Sequence, residues 1–343
     1  MGKLRYIGSK VRLTKHIVSV LGRPKAEQRF VDVFAGTGVV SRAAADFGWS
    51  ILANDHLESA TALTTARLLS RTEVPFKCLG GYEGAIEHLN QIEPIEGFFF
   101  REYSPSGRNA AGVQRVYFSD SNAKKIDGIR AEIRLLREKR EISKNEHVLL
   151  LADLMEATNQ IANIAGTYGC FLNKLRPNAK RHISLSARVL PWEHHPWEVT
   201  TEDALAIATK PTDVVYLDPP YTKRQYAAYY HILETLAQED EPIVDGITGL
   251  RPWEEKASPF CYKTKAAAAL DKLISQISAR RLLISYSSEG HIGPDELNAV
   301  IARHGKATVH QFPGFGRYAP NEQSRRNSAS INLVEYLFDL KKG

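Results

Sequence analysis

The chain has 343 residues, of which 43% are hydrophobic and 24% charged. These values are ordinary for a globular protein and exclude a disordered or fibrous chain. The formal net charge of +6 favours an anionic partner without identifying one. Three widely spaced cysteines indicate neither a disulfide framework nor a thiolate metal site. With no signal-peptide core and no run of about 18 apolar residues, we expect a cytoplasmic protein without membrane spans.

The N-terminal segment predicts a loop followed by a helix. A Gly-Ser pair at residues 8–9 indicates a turn, and Leu13, Ile17 and Leu21 recur at helical spacing. Lys10 at this turn is a candidate ligand for a phosphate or a carboxylate. A solvated surface lysine is the alternative interpretation.

The next segment predicts a strand, a glycine turn and a helix, over residues 30–34, 35–38 and 39–47. Backbone amides and a helix N-terminus then face a polar ligand. Gly36 and Gly38 do not continue into a G-x-G-x-x-G pattern, and no Walker lysine follows. The turn is therefore not a diphosphate fingerprint.

A second predicted strand, residues 49–53, ends at Asn54-Asp55. An acid at the end of the second strand can accept both hydroxyl groups of a ribose. The glycine turn and Asp55 together indicate an adenosine-type cofactor without a diphosphate. A simple tight turn with a helix cap is the alternative.

The middle of the chain is basic. Residues 122–140 predict an amphipathic helix whose cations either track phosphates or form a solvated face, and residues 147–164 predict a more apolar, buried helix. Residues 169–182 place Lys174, Arg176 and Arg181 beside polar amides, which suits phosphate and base-edge contacts. An ordinary surface loop is the alternative there.

Three later features complete the predicted framework. His194, His195 and Glu198 lack the spacing of a zinc site, so no metal is predicted. Residues 201–205 predict a capped helix start with Asp203 in its first turn. Residues 331–338 alternate in polarity and predict a late strand at the antiparallel edge of a mixed sheet.

Residues 214–221 predict a buried strand that ends in an acid, two prolines and an aromatic side chain. An exocyclic amine of adenine or cytosine is a poor nucleophile because its lone pair is delocalised into the ring. Asp218 and the carbonyl of Pro219 could accept both amine hydrogens and free that lone pair. Pro219 and Pro220 would hold these acceptors rigidly, and Tyr221 offers a stacking face to a base.

The glycine turn followed by the Asp-Pro-Pro-Tyr motif resembles the amino-methyltransferases that use S-adenosylmethionine. The order of the motifs resembles Dam-like adenine-N6 DNA methyltransferases. The similarity is stronger to methyltransferases of type IIS restriction systems such as FokI, and it covers nearly the whole chain. The matching stretches include Arg5-Tyr6-Ile7-Gly8-Ser9-Lys10, Phe118-Ser119-Asp120-Ser121-Asn122-Ala123, Arg224-Gln225-Tyr226 and Ser285-Tyr286-Ser287.

The resemblance implies an α/β fold: a Rossmann-like class I methyltransferase with a mostly parallel seven-stranded sheet and an antiparallel edge strand. A largely helical target-recognition region would be inserted at residues 75–195, between catalytic parts at 1–74 and 196–343. The implied cofactor is S-adenosylmethionine, and the implied partner is double-stranded DNA. A cognate restriction endonuclease is a further expected partner.

The resemblance also implies roles for individual residues. Lys10 and Asp32 would lie near the methionine part of the cofactor, Asp55 near its ribose and Asp203 near its adenine. The residues expected to perform catalysis are Asp218, Pro219, Pro220 and Tyr221. The residues expected to bind the cofactor are Tyr6, Lys10, Asp32, Phe34, Ala35, Gly36, Gly38, Asp55, Asp203 and Asp218. The residues expected to contact DNA are Arg5, Lys174, Arg176, Arg181, Arg224, Tyr226 and Tyr229.

Other functions stay open at this level. The motif activates any similar amine, so cytosine-N4 or RNA adenine methylation is an alternative. Protein glutamine methyltransferases typically carry Asn at the position of Asp218, which disfavours that substrate. A non-catalytic DNA-specificity subunit would keep the fold without the chemistry, and a fused nuclease would need a metal site of its own.

Overall fold

The structure, a computed structural model, describes residues 6–314 and 333–343. The chain divides into two compact units. The sheet unit contains residues 7–68, 195–225 and the described residues from 256 onwards. The helical unit contains Tyr6 and residues 69–194 and 226–255.

The sheet unit is built on a seven-stranded sheet with the order β3-β2-β1-β4-β5-β7-β6. Pairing is parallel from β3 through β5, whereas β7 is antiparallel to both β5 and β6. This arrangement confirms the predicted fold class. The strands are β1 Arg29–Asp32, β2 Ser50–Asn54, β3 Trp197–Thr200, β4 Val214–Leu217, β5 Arg281–Ser287, β6 Gly305–Pro313 and β7 Val334–Lys342.

Helices cover both faces of this sheet, which explains why its central strand β4 is apolar throughout. Every residue of β4 is buried. Its Val214 and Tyr216 pack on one side with α1 and α2, while Val215 and Leu217 pack on the other with α10 and α11. The helices of this unit are α1 Thr14–Leu21, α2 Val39–Asp46, α3 Glu58–Leu68, α10 Ala266–Gln276 and α11 Pro294–Ala302.

Two details differ from the sequence prediction. The antiparallel strand β7 begins at Val334 and lies between β5 and β6, so that β6 is the edge strand; residues 331 and 332 lie outside the described part of the chain. Asp203 is not in the first turn of a helix. It is the N-cap of a 3₁₀ helix at Ala204–Ala206, where its side chain accepts a hydrogen bond from the amide of Leu205.

The helical unit is organised around α7, most of whose residues are buried. Ser143 and Glu146 form a capping box at its start, which satisfies backbone donors that the helix cannot pair itself. The predicted apolar, buried helix is therefore confirmed, although it spans residues 144–161 instead of 147–164. The helices of this unit are α4 Tyr82–Gln91, α5 Phe98–Tyr103, α6 Asp120–Glu138, α7 Lys144–Ile161, α8 Tyr226–Tyr229 and α9 His231–Gln238.

The cations of α6 bind within the unit rather than forming a free basic face. The guanidinium groups of Arg130 and Arg134 donate to the carbonyls of Asp240 and Glu239, just beyond the end of α9. Arg137 pairs with the carboxylate of Glu239 at 2.8 Å. Cations suit this position because a helix C-terminus carries unpaired carbonyls. For these three cations the contacts support neither predicted role of the basic helix, a phosphate-tracking face or a solvated one.

The helical unit differs in extent from the predicted insert at residues 75–195. It begins at residue 69, and it also takes in residues 226–255, which follow the Asp-Pro-Pro-Tyr motif. The chain thus leaves the sheet unit a second time directly after β4 and its loop. None of the helices in the described ranges is long and apolar enough to cross a membrane.

Candidate active site

Four of the predicted carboxylates follow neighbouring strands of the sheet. Asp32 ends β1, Asp55 follows β2, Asp203 follows β3 and Asp218 follows β4. These four strands are parallel and adjacent, so their carboxyl ends meet at one edge of the sheet. That edge is where open α/β sheets bind ligands. The sheet order therefore brings these four acids, which are far apart in the sequence, to neighbouring positions along one edge.

The glycine turn after β1 has the backbone that only glycine adopts without cost. Gly36 and Gly38 have φ angles of 57° and 70°. At Gly38 a Cβ atom would lie 2.8 Å from Cα of Thr64, which is a clash with the backbone of α3. The turn is also held by Thr64, whose hydroxyl donates to the carbonyl of Gly36 at 3.3 Å. The local geometry of the turn therefore requires glycine at both positions.

Asp55 connects this turn to the end of β2. Its two carboxylate oxygens accept hydrogen bonds from the amides of Gly36 at 2.9 Å and Leu57 at 3.1 Å. The side chain of Asn54, buried next to it, donates to the carbonyls of Val33 and Glu202 and accepts from the amide of Glu202. The exits of β1, β2 and β3 are thus held in one fixed arrangement.

Asp32 is a buried carboxylate, with 1% of its surface exposed. It accepts a hydrogen bond of 2.6 Å from the hydroxyl of Ser41. Burial raises its pKa to about 7, against the opposing effect of the Ser41 hydrogen bond. Such a group favours a neighbour that can donate protons or positive charge.

The Asp218 carboxylate pairs with Lys10, which lies far from it in sequence. The Lys10 Nζ atom is 3.1 Å from Asp218 Oδ1 and 3.3 Å from Glu335 Oε2. Burial raises the pKa of Asp218 to about 6, although the Lys10 charge opposes this rise. Burial alone would lower the pKa of Lys10, but Asp218 and Glu335 together raise it well above its usual value. The lysine therefore stays charged.

Tyr221 lies against the same lysine. The Lys10 Nζ atom is 5.1 Å from the centroid of the Tyr221 ring, and the ring of Tyr286 packs at 5.7 Å on an inclined plane. The amide of His291 donates to the carbonyl of Tyr221 at 2.9 Å, which fixes its backbone. Burial raises the pKa of the Tyr221 hydroxyl to about 12, so it remains neutral.

The remaining predicted cofactor residues occupy different places. Phe34 is half-buried and packs edge-on against Phe260, while Ala35 is buried and donates its amide to the carbonyl of Asn54. Tyr6 belongs to the helical unit, where its ring stacks on Tyr230 with centroids 4.5 Å apart. Tyr6 is thus grouped with the aromatic residues of α8 and its neighbours.

Of the predicted DNA contacts, Arg5 lies outside the described residues. Arg224 is in the sheet unit and half-buried, and its carbonyl accepts from the Cys261 thiol. Tyr226 packs against Tyr6, and Tyr229 lies next to Gly169, where an added Cβ would be 3.3 Å from its ring. The rings of Tyr226 and Tyr229 thus pack within the helical unit.

Lys174, Arg176 and Arg181 are exposed, which is compatible both with DNA contacts and with an ordinary surface loop. Their loop is fixed by two buried asparagines of the same unit. Asn163 donates to the carbonyl of Leu172 and accepts from the amide of Arg176, while Asn122 donates to the carbonyl of Arg181. A loop anchored in this way presents its cations with little loss of entropy on binding.

The structure also shows functional candidates that sequence reasoning missed. Glu335 contacts Lys10, Asn54 ties together three strand ends, and Ser41 donates to Asp32. Ser41 lies three residues past the glycine turn and could have been found from helical spacing. Glu335 and Asn54 carry no local signal, because their partners are set by strand pairing.

The hydrogen-bond acceptors at this edge of the sheet fit S-adenosylmethionine. Its amine and ribose hydroxyls are hydrogen-bond donors, and they require acceptors such as the carboxylates of Asp32 and Asp55. The glycine turn leaves Gly36 and Phe34 partly exposed between those acids. Among the described residues, no group of three or more His, Cys, Asp or Glu side chains is placed to hold a metal ion.

A seven-stranded sheet of this order, with a glycine turn after β1 and a strand-two acid, defines the class I methyltransferase fold. The family description "D12 class N6 adenine-specific DNA methyltransferase" matches residues 6–299. The chain belongs to this family. The predicted activity, methylation of adenine N6 in DNA, is therefore confirmed at the level of the family, and S-adenosylmethionine is the cofactor that the family implies.

Individual relatives agree with this assignment. The chain is 31% identical to the type II methyltransferase M.NlaIII of Neisseria lactamica over 99% of both chains. It is 33% identical to M.FokI of Planomicrobium okeanokoites over 99% of its own length but 53% of that relative. The chain thus spans about half of M.FokI. The type II methyltransferase M.CviAII of Paramecium bursaria Chlorella virus 1 is 31% identical over 98% of both chains.

Proposed function

We propose that this protein transfers a methyl group from S-adenosylmethionine to the N6 amine of one adenine, flipped out of double-stranded DNA at a specific site. The observation that carries the proposal is the position of Asp218, a largely but not fully buried acceptor at the tip of β4, which lies next to β1 and its glycine turn. Asp218 and the glycine turn follow adjacent parallel strands, which supports a methyl donor and a target amine that meet at this edge.

The cofactor is held by residues of this edge. Asp32 accepts from the methionine amine, Asp55 from the ribose hydroxyls, and Asp203 lies beside the adenine. When bound, S-adenosylmethionine supplies an electrophilic methyl group. The chain itself contributes a rigid backbone at Gly36 and Gly38, so that little reorganisation accompanies binding.

The target adenine is held by the Asp-Pro-Pro-Tyr motif. The Asp218 carboxylate and the Pro219 carbonyl accept the two N6 hydrogens, and the rigid backbone of Pro220 fixes both acceptors before the reaction. The ring of Tyr221 stacks on the base, a contact of about 1–3 kcal/mol. Removing the adenine from the duplex costs a few kcal/mol, which such contacts offset.

Mass spectrometry of nucleosides after incubation of duplex DNA with labelled S-adenosylmethionine tests this function. We expect N6-methyladenine, and D218A should reduce its rate of formation by about 100- to 1,000-fold while DNA affinity stays near the wild-type value. Y221A and Y221F form a matched pair, because only Y221F keeps the stacking face. Product on cytosine or on RNA alone, or wild-type rates in D218A, would contradict the proposal.

The helical unit would provide the DNA contacts, through the exposed cations of the 169–182 loop. Removing one cation that neutralises a phosphate should reduce the slope of log K against log salt concentration by about 0.9. The triple variant K174A/R176A/R181A should therefore weaken DNA binding and reduce the slope by about 2–3. R137A is the matched control, because Arg137 pairs with Glu239 within the unit. An unchanged slope in the triple variant would remove this loop from the interface.

The relatives named type II methyltransferases suggest a restriction–modification role, with a cognate endonuclease acting on the same sequence. Such an enzyme would act in the cytoplasm, where the host DNA is. Long-read mapping of methylated adenines in an expressing host would identify the recognition sequence. Methylation scattered without a common sequence would contradict site specificity.

A further inference from the structure

A carboxylate outside the recognised motifs shares the lysine that pairs with Asp218. Glu335 lies on β7, and its Oε2 atom is 3.3 Å from the Lys10 ammonium, which is itself 3.1 Å from Asp218. The side chains of Glu335, Lys10 and Asp218 are only 11%, 5% and 13% exposed. Water therefore screens their interactions weakly.

The charge balance of this cluster is unequal. Two carboxylates face one ammonium, so the cluster carries a net charge of −1, whereas Lys10 and Asp218 alone would be neutral. Other titratable groups also act on Asp218 and Lys10. They are the phenols of Tyr216 and Tyr221, which stay neutral because burial raises their pKa values, and the carboxyl group of Asp32.

Methyl transfer moves positive charge towards this cluster. The bond between N6 and the methyl carbon forms as the sulfur–carbon bond of the donor breaks, and the electron pair of that bond stays on sulfur. The nitrogen then carries the positive charge until it loses a proton, for which the Asp218 carboxylate is the nearest proposed acceptor. A net negative cluster stabilises this charge, and a neutral one does not.

We propose that Glu335 is a positioning residue, which holds Lys10 between two carboxylates and keeps the charge around Asp218 at −1 during methyl transfer. Glu335 also remains as a partner for Lys10 when the adenine amine donates a hydrogen bond to the Asp218 carboxylate. The inference rests on the proposed function of the site. It does not require Glu335 to contact the base or the cofactor.

The test compares E335Q with E335D in single-turnover methylation of duplex DNA between about pH 5 and pH 9, a range that spans the raised pKa of Asp218. Gln is isosteric with Glu and can still accept from Lys10, but it removes the charge. We expect E335Q to lower the plateau rate about 10- to 100-fold, as expected for one unscreened charge. The acid limb of the pH–rate profile of E335Q should shift to lower pH, because the Glu335 charge contributes to the raised pKa of Asp218. E335D should show smaller changes in the same direction.

A purely structural role predicts the opposite order. Asp is shorter and leaves a gap, so E335D would then be the more damaged variant, and neither variant would shift the acid limb. D339N is the matched control, since Asp339 lies on the same strand but pairs with Arg281 at 2.9 Å. The acid limb of the pH–rate profile of D339N should not shift.

The outcomes distinguish a failure of the proposed function from a failure of the role proposed for Glu335. If the wild-type enzyme forms no N6-methyladenine in DNA, the proposed function fails. If it does, and E335Q keeps both the rate and the acid limb of the wild type, the inference about Glu335 is wrong. If E335Q does not fold, an unchanged rate and limb in E335D would overturn it.

Discussion

Substituting Lys10 by Met should expose the electrostatic strain that this lysine relieves. Met has an unbranched chain of similar length, so it fills the volume but leaves Asp218 and Glu335 close together without a cation. Removing one partner of a buried ion pair costs about 3–5 kcal/mol of the free energy of unfolding. We expect a loss of this size at about pH 8, where both carboxyl groups are ionised in the unfolded chain.

The loss should depend on pH. In the wild type, burial raises the pKa of Asp218 to about 6 even with Lys10 present, and without the lysine it rises further. The folded variant then binds a proton that the unfolded chain, with an Asp pKa of about 3.9, has released. Stability relative to the wild type therefore falls as pH rises above about 6, by up to about 1.4 kcal/mol per pH unit.

Urea denaturation of wild type and K10M at about pH 5.5 and pH 8 measures this difference. The loss should be about 1–2 kcal/mol at the lower pH and reach the full value of about 3–5 kcal/mol at the higher one. K15M is the control, because Lys15 is exposed on α1 and its replacement should change stability by less than about 0.5 kcal/mol at either pH. An equal loss in K10M at both pH values would show that the ionisation of Asp218 is not the source of the instability.

Three further predictions concern the cofactor edge. D32N removes a buried carboxylate whose pKa is raised to about 7, so the stability of the variant relative to the wild type should increase between about pH 4 and pH 7. Its calorimetric affinity for S-adenosylmethionine should fall. A difference in the free energy of unfolding that is constant with pH would argue against burial as the cause of the raised pKa. N54A leaves several buried backbone groups unpaired and should cost about 2–4 kcal/mol in thermal or chemical unfolding, which an unshifted unfolding transition would contradict. G38A forces a Cβ atom against the backbone of Thr64, so cofactor binding should be lost; unchanged affinity would show that α3 can move aside.

The local chemistry of the site could be read from the sequence. The positive φ angles of the turn require Gly36 and Gly38, and the two prolines after Asp218 end the strand wherever it lies. Strand, turn and helix there depend on neighbours that are close in sequence. The glycine turn, the strand-two acid and the Asp-Pro-Pro-Tyr motif therefore predicted the fold class correctly.

Distant pairings were decided by the tertiary structure. Glu335 meets Lys10 across a separation of 325 residues, because β7 inserts between β5 and β6 instead of lying at the edge. The cations of α6 looked equally suited to phosphate, and only the fold brings Arg137 to Glu239. The sequence shows which residues are charged, but the partner of each charge depends on which elements pack together in the fold. The sequence therefore determined the cofactor turn and the amine-binding motif, and the sheet order determined which lysine and which second carboxylate surround Asp218.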